Sequence, residues 1–144
     1  MKVLNRITAE PITELLDNEI FVYGSNLAGR NGAGAALIAQ QMFGARYGVG
    51  FGPTGQCYAI PTKDESLKVI SLEQIRPYVT VFIEYAKQNP TQIFKLTKIG
   101  CGLAGYFPEQ IAPMFIAAIR VHNIHLPVEF WDVLNEMVES TIDI

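Results

Sequence analysis

The sequence predicts an α/β fold: a mainly parallel central sheet with helices covering both faces. Short apolar runs alternate with helical patterns along the chain, and glycines gather directly behind the runs. The chain is 144 residues long, 49% hydrophobic and only 17% charged, which suits one domain with a real core and excludes disorder.

The elements follow in order. At the start, the pattern gives a strand at 2–7 and a short helix at 11–16. The run 19–24 is apolar, branched and aromatic, and its length suits a buried strand. A helix over 33–43 stops at Gly44, and 44–55, with five glycines and Pro53, form a loop or irregular hairpin. Residues 57–60 are a second strand, closed by Pro61. Ser71 and Gln74 stand at the spacing of a capping box, and Leu72, Ile75, Val79, Phe82, Ile83 and Ala86 then mark one helical face, with Pro77 inside it. A third strand covers 93–99. Pro108 suits the first position of the next helix. A fourth strand is expected at 126–130 and a terminal amphipathic helix at 131–140.

Composition excludes several functions. With 11 basic against 14 acidic residues and no basic cluster, the footprint of a duplex nucleic-acid binder is missing. No run approaches the ~18 apolar residues of a membrane span. The start lacks the apolar core of a signal peptide, so a soluble cytoplasmic protein is expected. Cys57 and Cys101 make neither a disulfide framework nor a zinc quartet. His122 and His125 have no carboxylate or cysteine neighbours to complete a metal site, and no cofactor is implied.

All twelve glycines fall in two segments, nine within 24–55 and three within 100–105. In a parallel sheet the loops 25–34, 62–64 and 100–107 all leave the carboxyl edge, where open α/β sheets bind ligands. Two glycine-rich loops, each leading into a helix N-terminus, suit a ligand with two phosphates. Arg30 is the guanidinium available there, as an exposed loop charge or a phosphate contact. No Gly-Lys-Ser/Thr follows either glycine string. The third glycine of a dinucleotide fingerprint is also absent. Cys101, in the second loop, is a buried apolar thiol or a nucleophile.

Two segments, 31–44 and 97–103, resemble the phosphate loops of the macrodomains, which bind ADP-ribose. The likeness is to the small ADP-ribosyl deacylases and the terminal ADP-ribose protein glycohydrolase. Residues 58–63 resemble the strand that carries that group's reactive lysine. The resemblance spans roughly residues 20–130 and implies a three-layer α/β/α sandwich. ADP-ribose would then lie on Ser25, Asn26, Arg30, Asn31, Gly32, Ala33, Gly34 and Thr62. Gly100, Cys101, Gly102, Leu103, Ala104, Gly105 and Tyr106 would clasp its diphosphate. Tyr106 is either a stacking ring or a packing aromatic. Lys63 matches the catalytic lysine, but Ala104 stands where hydrolytic relatives hold an aspartate. Arg6 stands where the adenine-reading aspartate would be, with Asp17 and Glu19 as substitutes.

The expected function is binding of ADP-ribose or a related nucleotide diphosphate. The enzymatic version would be an ADP-ribosyl hydrolase or deacylase acting on an ADP-ribosylated protein or an ester of the ribose. Two alternatives stand beside it: an interaction or sequestering module that kept only the fold, and a hydrolase of another nucleotide or sugar phosphate.

Overall fold

The computed structural model describes residues 4–142. Its strands are β1 (Glu19–Asn26), β2 (Gly52–Thr54), β3 (Cys57–Lys63), β4 (Ile93–Leu96) and β5 (Ile124–His125). They form one mixed sheet in the order β2-β3-β1-β4-β5. β1 runs parallel to both β3 and β4, and β4 parallel to β5; β2 is an antiparallel edge on β3. The helices are α1 (Gly34–Phe43), α2 (Leu72–Gln88), α3 (Pro108–Ile111) and α4 (Val128–Ile142); α3 runs directly into a 3-10 helix, Ala112–Arg120.

Strand alternation divides the core in two. Ile20 and Val22 of β1, Tyr58 and Ile60 of β3, and Phe94 and Leu96 of β4 join one cluster. It is completed by α2, the 3-10 helix and α4, through Phe82, Phe115, Trp131 and their neighbours. Phe21, Tyr23, Cys57 and Ala59 face the other way, onto Ala36, Ala39 and Phe43 of α1. Both faces of the central strands are therefore buried, which is why they read as unbroken apolar runs rather than alternating ones.

Local signals behave as the chemistry requires. Ser71 Oγ accepts from the Gln74 amide at 3.2 Å while Gln74 Oε1 accepts from the Ser71 amide at 2.9 Å, the reciprocal box that starts α2. α2 passes through Pro77 without interruption. α1 ends where Gly44 turns left-handed at φ 80°.

The chain departs from expectation at both ends. Residues 11–16 form no helix: Ile12 and Leu15 pack against the α1-side core from an irregular path. The expected strand at 2–7 begins outside the described residues. What is described is a 3-10 turn, Leu4–Arg6, and a single bridge from Ile7 to Leu126. The expected strand at 126–130 is displaced. β5 stops at His125, Pro127 breaks the run, and Phe130 and Trp131 are buried from α4. A short apolar run is buried equally well as strand or helix, so hydrophobicity alone did not distinguish them. The third strand closes at Leu96, leaving 97–99 in the loop that follows.

Arg6 is a structural residue. Its guanidinium donates to the carbonyls of Ala118, Ile119, Val121 and Ile124 at 2.8–3.1 Å. It stacks 5.0 Å from the Trp131 ring, whose Nε1 donates to the Arg6 carbonyl at 2.9 Å. The cation thus closes the end of the 3-10 helix, where carbonyls point outward and positive charge is favoured.

One pH effect follows from β5. Burial holds the His125 imidazole below its ordinary pKa; Lys95 and Arg6 add to this and Glu19 opposes it. A depressed histidine favours the neutral form in the folded state. Its contribution is complete above the unfolded pKa of about 6.5 and is lost as pH falls through the lower folded value. Unfolding free energy is expected to fall as pH is lowered from neutral through about 6.5 and below, and to fall less in His125→Asn protein. Urea titrations at several pH values measure both slopes; parallel slopes would remove His125 as the cause.

Candidate functional site

The carboxyl ends of β1, β3 and β4 open onto one cavity of about 830 Å³. The β1–α1 loop, the turn after β3 and the loop after β4 wall it, joined by Glu10 from the segment before β1 and Tyr47 from the loop before β2.

Of the residues expected from sequence, most meet here. Ser25, Asn26, Arg30, Gly32, Ala33, Gly34, Thr62, Lys63, Gly100, Cys101, Gly102, Leu103 and Ala104 all line the cavity. Asn31, Gly105 and Tyr106 are outside its lining. Asn31 is buried beneath the loop, and its Nδ2 lies 3.4 Å from the Arg46 carbonyl. Tyr106 donates to the Ile70 carbonyl at 2.6 Å and packs on the large core, while its amide bonds the Gly100 carbonyl at 2.8 Å. It closes the second loop, the packing role of the two weighed. Glu19 sits at the start of β1, the end away from the cavity, where Lys95 Nζ is 2.9 Å away.

Several strand-end polar groups are spent on scaffold bonds. Asn26 Oδ1 accepts from the Arg30 amide at 3.0 Å and its Nδ2 donates to the Arg30 carbonyl at 2.8 Å. Ser25 Oγ donates to the Gly50 carbonyl. Thr97 Oγ1, also in the lining, donates to the Val22 carbonyl at 2.8 Å. Asp64, next to Lys63, holds its own turn: Oδ1 accepts from the amides of Ser66 and Lys68 at 2.8 and 3.0 Å.

What the cavity offers a ligand is backbone donors and positive charge. α1 begins at Ala33, a residue with no capping group, and its first-turn N–H groups stand beside the cavity. On the facing loop the N–H groups of Gly102, Leu103 and Ala104 have no acceptor among the described residues. The loops meet where Leu103 Cδ1 lies 3.6 Å from the Cβ position of Gly34. The second helix N-terminus expected here is absent from the lining. The amide of Phe107, at the start of α3, is already satisfied by Gln110 Oε1 at 2.9 Å.

Arg30, Lys63 and Lys98 line the cavity with Glu10 as the single carboxylate among the described lining residues. Lys98 Nζ lies 3.0 Å from Glu129 and 3.6 Å from Glu10; the Glu129 bond chiefly raises its pKa. Burial pushes the Cys101 thiol up to about 11, which favours the protonated thiol at neutral pH and the apolar role of the two weighed.

The glycines divide by role. A Cβ on Gly29 would lie 2.3 Å from the backbone of Gly48 and Val49, one on Gly50 2.3 Å from the Asn26 carbonyl, and one on Gly55 2.2 Å from the Gly44 carbonyl. These three let the chain approach itself. Gly32 and Gly102, by contrast, have nothing within 4 Å of a Cβ position.

Sequence reasoning missed Glu10, Tyr47, Leu67 and Lys98, all in the lining. Tyr47 had a signal, an aromatic in a glycine-rich loop. Leu67 had none, because its left-handed φ of 65° is seen only in the folded chain. That conformation is unfavourable for leucine by roughly 1–2 kcal/mol.

Comparison of the chain with known protein families, with curated proteins and with solved structures returned no match. Among the described residues, no helix is long and apolar enough to cross a membrane, and no three potential metal ligands cluster.

Proposed function

We propose that this chain is a macrodomain-like module, a three-layer α/β/α sandwich that binds ADP-ribose or a closely related nucleotide diphosphate. The observation that carries the proposal is the pairing of two glycine-bearing loops across one cavity. Each loop presents unspent backbone N–H groups, and the lining holds Arg30 and Lys63 without an ion-pair partner among the described residues, Lys98 being paired with Glu129 and Glu10. Backbone donors and a surplus of positive charge are what a diphosphate needs.

Binding without turnover is favoured. Ala104 lines the cavity where an assisting carboxylate would be needed. Asp64 is committed to its turn, and Glu10 is paired with Lys98. Lys63 therefore acts as a charge on the ligand rather than as a nucleophile supported by an acid. Free Cys57 and Cys101 suit a reducing compartment, which supports a cytoplasmic location.

Calorimetric titration with ADP-ribose tests the reading. Micromolar affinity is expected, with no release of ribose-linked ester or carboxylate from ADP-ribosyl substrates above the rate in buffer. Absence of heat at several hundred micromolar would overturn the ligand; turnover lost in Lys63→Ala protein would overturn the non-catalytic role.

A further inference from the structure

The glycine loops supply part of the cavity wall, but the loop before β2 and the turn after β3, neighbours through the β2–β3 pairing, supply something different. Tyr47 and Leu67 line the cavity from them and remain 67% and 45% exposed. Large apolar side chains left in water inside a concave site mark contact with a ligand.

Both are held by their surroundings. The loop carrying Tyr47 is docked on the β1–α1 loop, where the Gly48 amide bonds the Gly29 carbonyl at 2.8 Å and Gly50 lies against Asn26 and Leu27. Leu67 sits in a turn pinned by Asp64, in a left-handed conformation that glycine would adopt more readily. Charge then limits what they receive. Arg30 and Lys63 follow β1 and β3, and Glu10 is drawn to Lys98, which follows β4. Among the described lining residues, a cationic group would meet Arg30 and Lys63 with only Glu10, itself drawn to Lys98, to oppose them.

We propose that Tyr47 and Leu67 form a subsite for an uncharged planar ring carried on the terminal sugar of a nucleoside diphosphate. The ring packs on Tyr47 and Leu67 while the diphosphate lies on the glycine loops. The subsite rests on the diphosphate-binding role proposed above, and it selects against the same ligand with a cationic ring.

Three probes share the diphosphate portion and differ at the terminal sugar: ADP-ribose has no ring, NADH has a neutral one and NAD+ a cationic one. Titration of the full chain is expected to give NADH about 10-fold tighter than ADP-ribose, and NAD+ no tighter than ADP-ribose. Tyr47→Ala and Leu67→Gly are expected to cost NADH about 10-fold more than they cost ADP-ribose. Tyr47 is exposed and Leu67 already has a glycine-like backbone, so both variants should fold; thermal unfolding checks this. Equal affinity for NADH and ADP-ribose, equal affinity for NADH and NAD+, or an equal loss for all probes in both variants overturns the subsite. ADP-ribose binding without ring preference overturns it alone; failure of all three probes overturns the diphosphate reading as well.

Discussion

Gly32→Glu protein is expected to lose at least ~100-fold in affinity for ADP-ribose, about 2.7 kcal/mol, while unfolding at the wild-type temperature. Gly32 has no atom within 4 Å of a Cβ position and needs no left-handed backbone, so the fold accepts a side chain there. The glutamate would enter the space beside the open N–H groups of α1 and oppose an anion with its own charge. Gly50→Ala is the counterpart within the same glycine segment. Its methyl would stand 2.3 Å from the Asn26 carbonyl, so the docked 44–51 loop must move. Loss of roughly 3 kcal/mol of stability is expected there. Calorimetry and thermal unfolding on both variants separate the two roles. Equal behaviour of the pair would show that the division of the glycines is mistaken.

Arg6→Met is expected to destabilise the protein by about 3–5 kcal/mol, through loss of hydrogen bonds and of the Trp131 contact. The Ala118 and Val121 carbonyls keep other partners, the amides of Val121 and Ile124. The Ile119 and Ile124 carbonyls lose the donors Arg6 supplies. Arg6→Lys should recover only part, because an ammonium cannot span four carbonyls as a planar fork does. Urea unfolding measures the difference; a loss under about 1 kcal/mol would mean the carbonyls are satisfied without the guanidinium.

Much of the frame was legible in the sequence because its causes are local. The box at Ser71 and Gln74 lies within one helical turn. The runs of β1 and β3 are buried on both faces, and Pro108 and Gly44 mark their helix ends through their own backbone preferences. The cavity was legible one step further on, since parallel strands send their following loops to one edge. The residues misplaced are those whose role is set by what lies across the fold. Arg6 meets carbonyls more than a hundred residues away, and Tyr106 meets Ile70.

By itself, then, the sequence determined the α/β class, the alternation of elements, and the edge of the sheet where a ligand could be received. Each follows from period, composition and short-range backbone chemistry. Only the tertiary structure decided which glycines the chain uses to touch itself and which it leaves open. It also decided that the 126–130 run divides around Pro127, that Arg6 closes a helix rather than meeting a base, and that Tyr47 and Leu67 stand in the cavity. Close approach, burial and hydrogen bonding between distant segments are properties of the packed chain, and no window of sequence contains them.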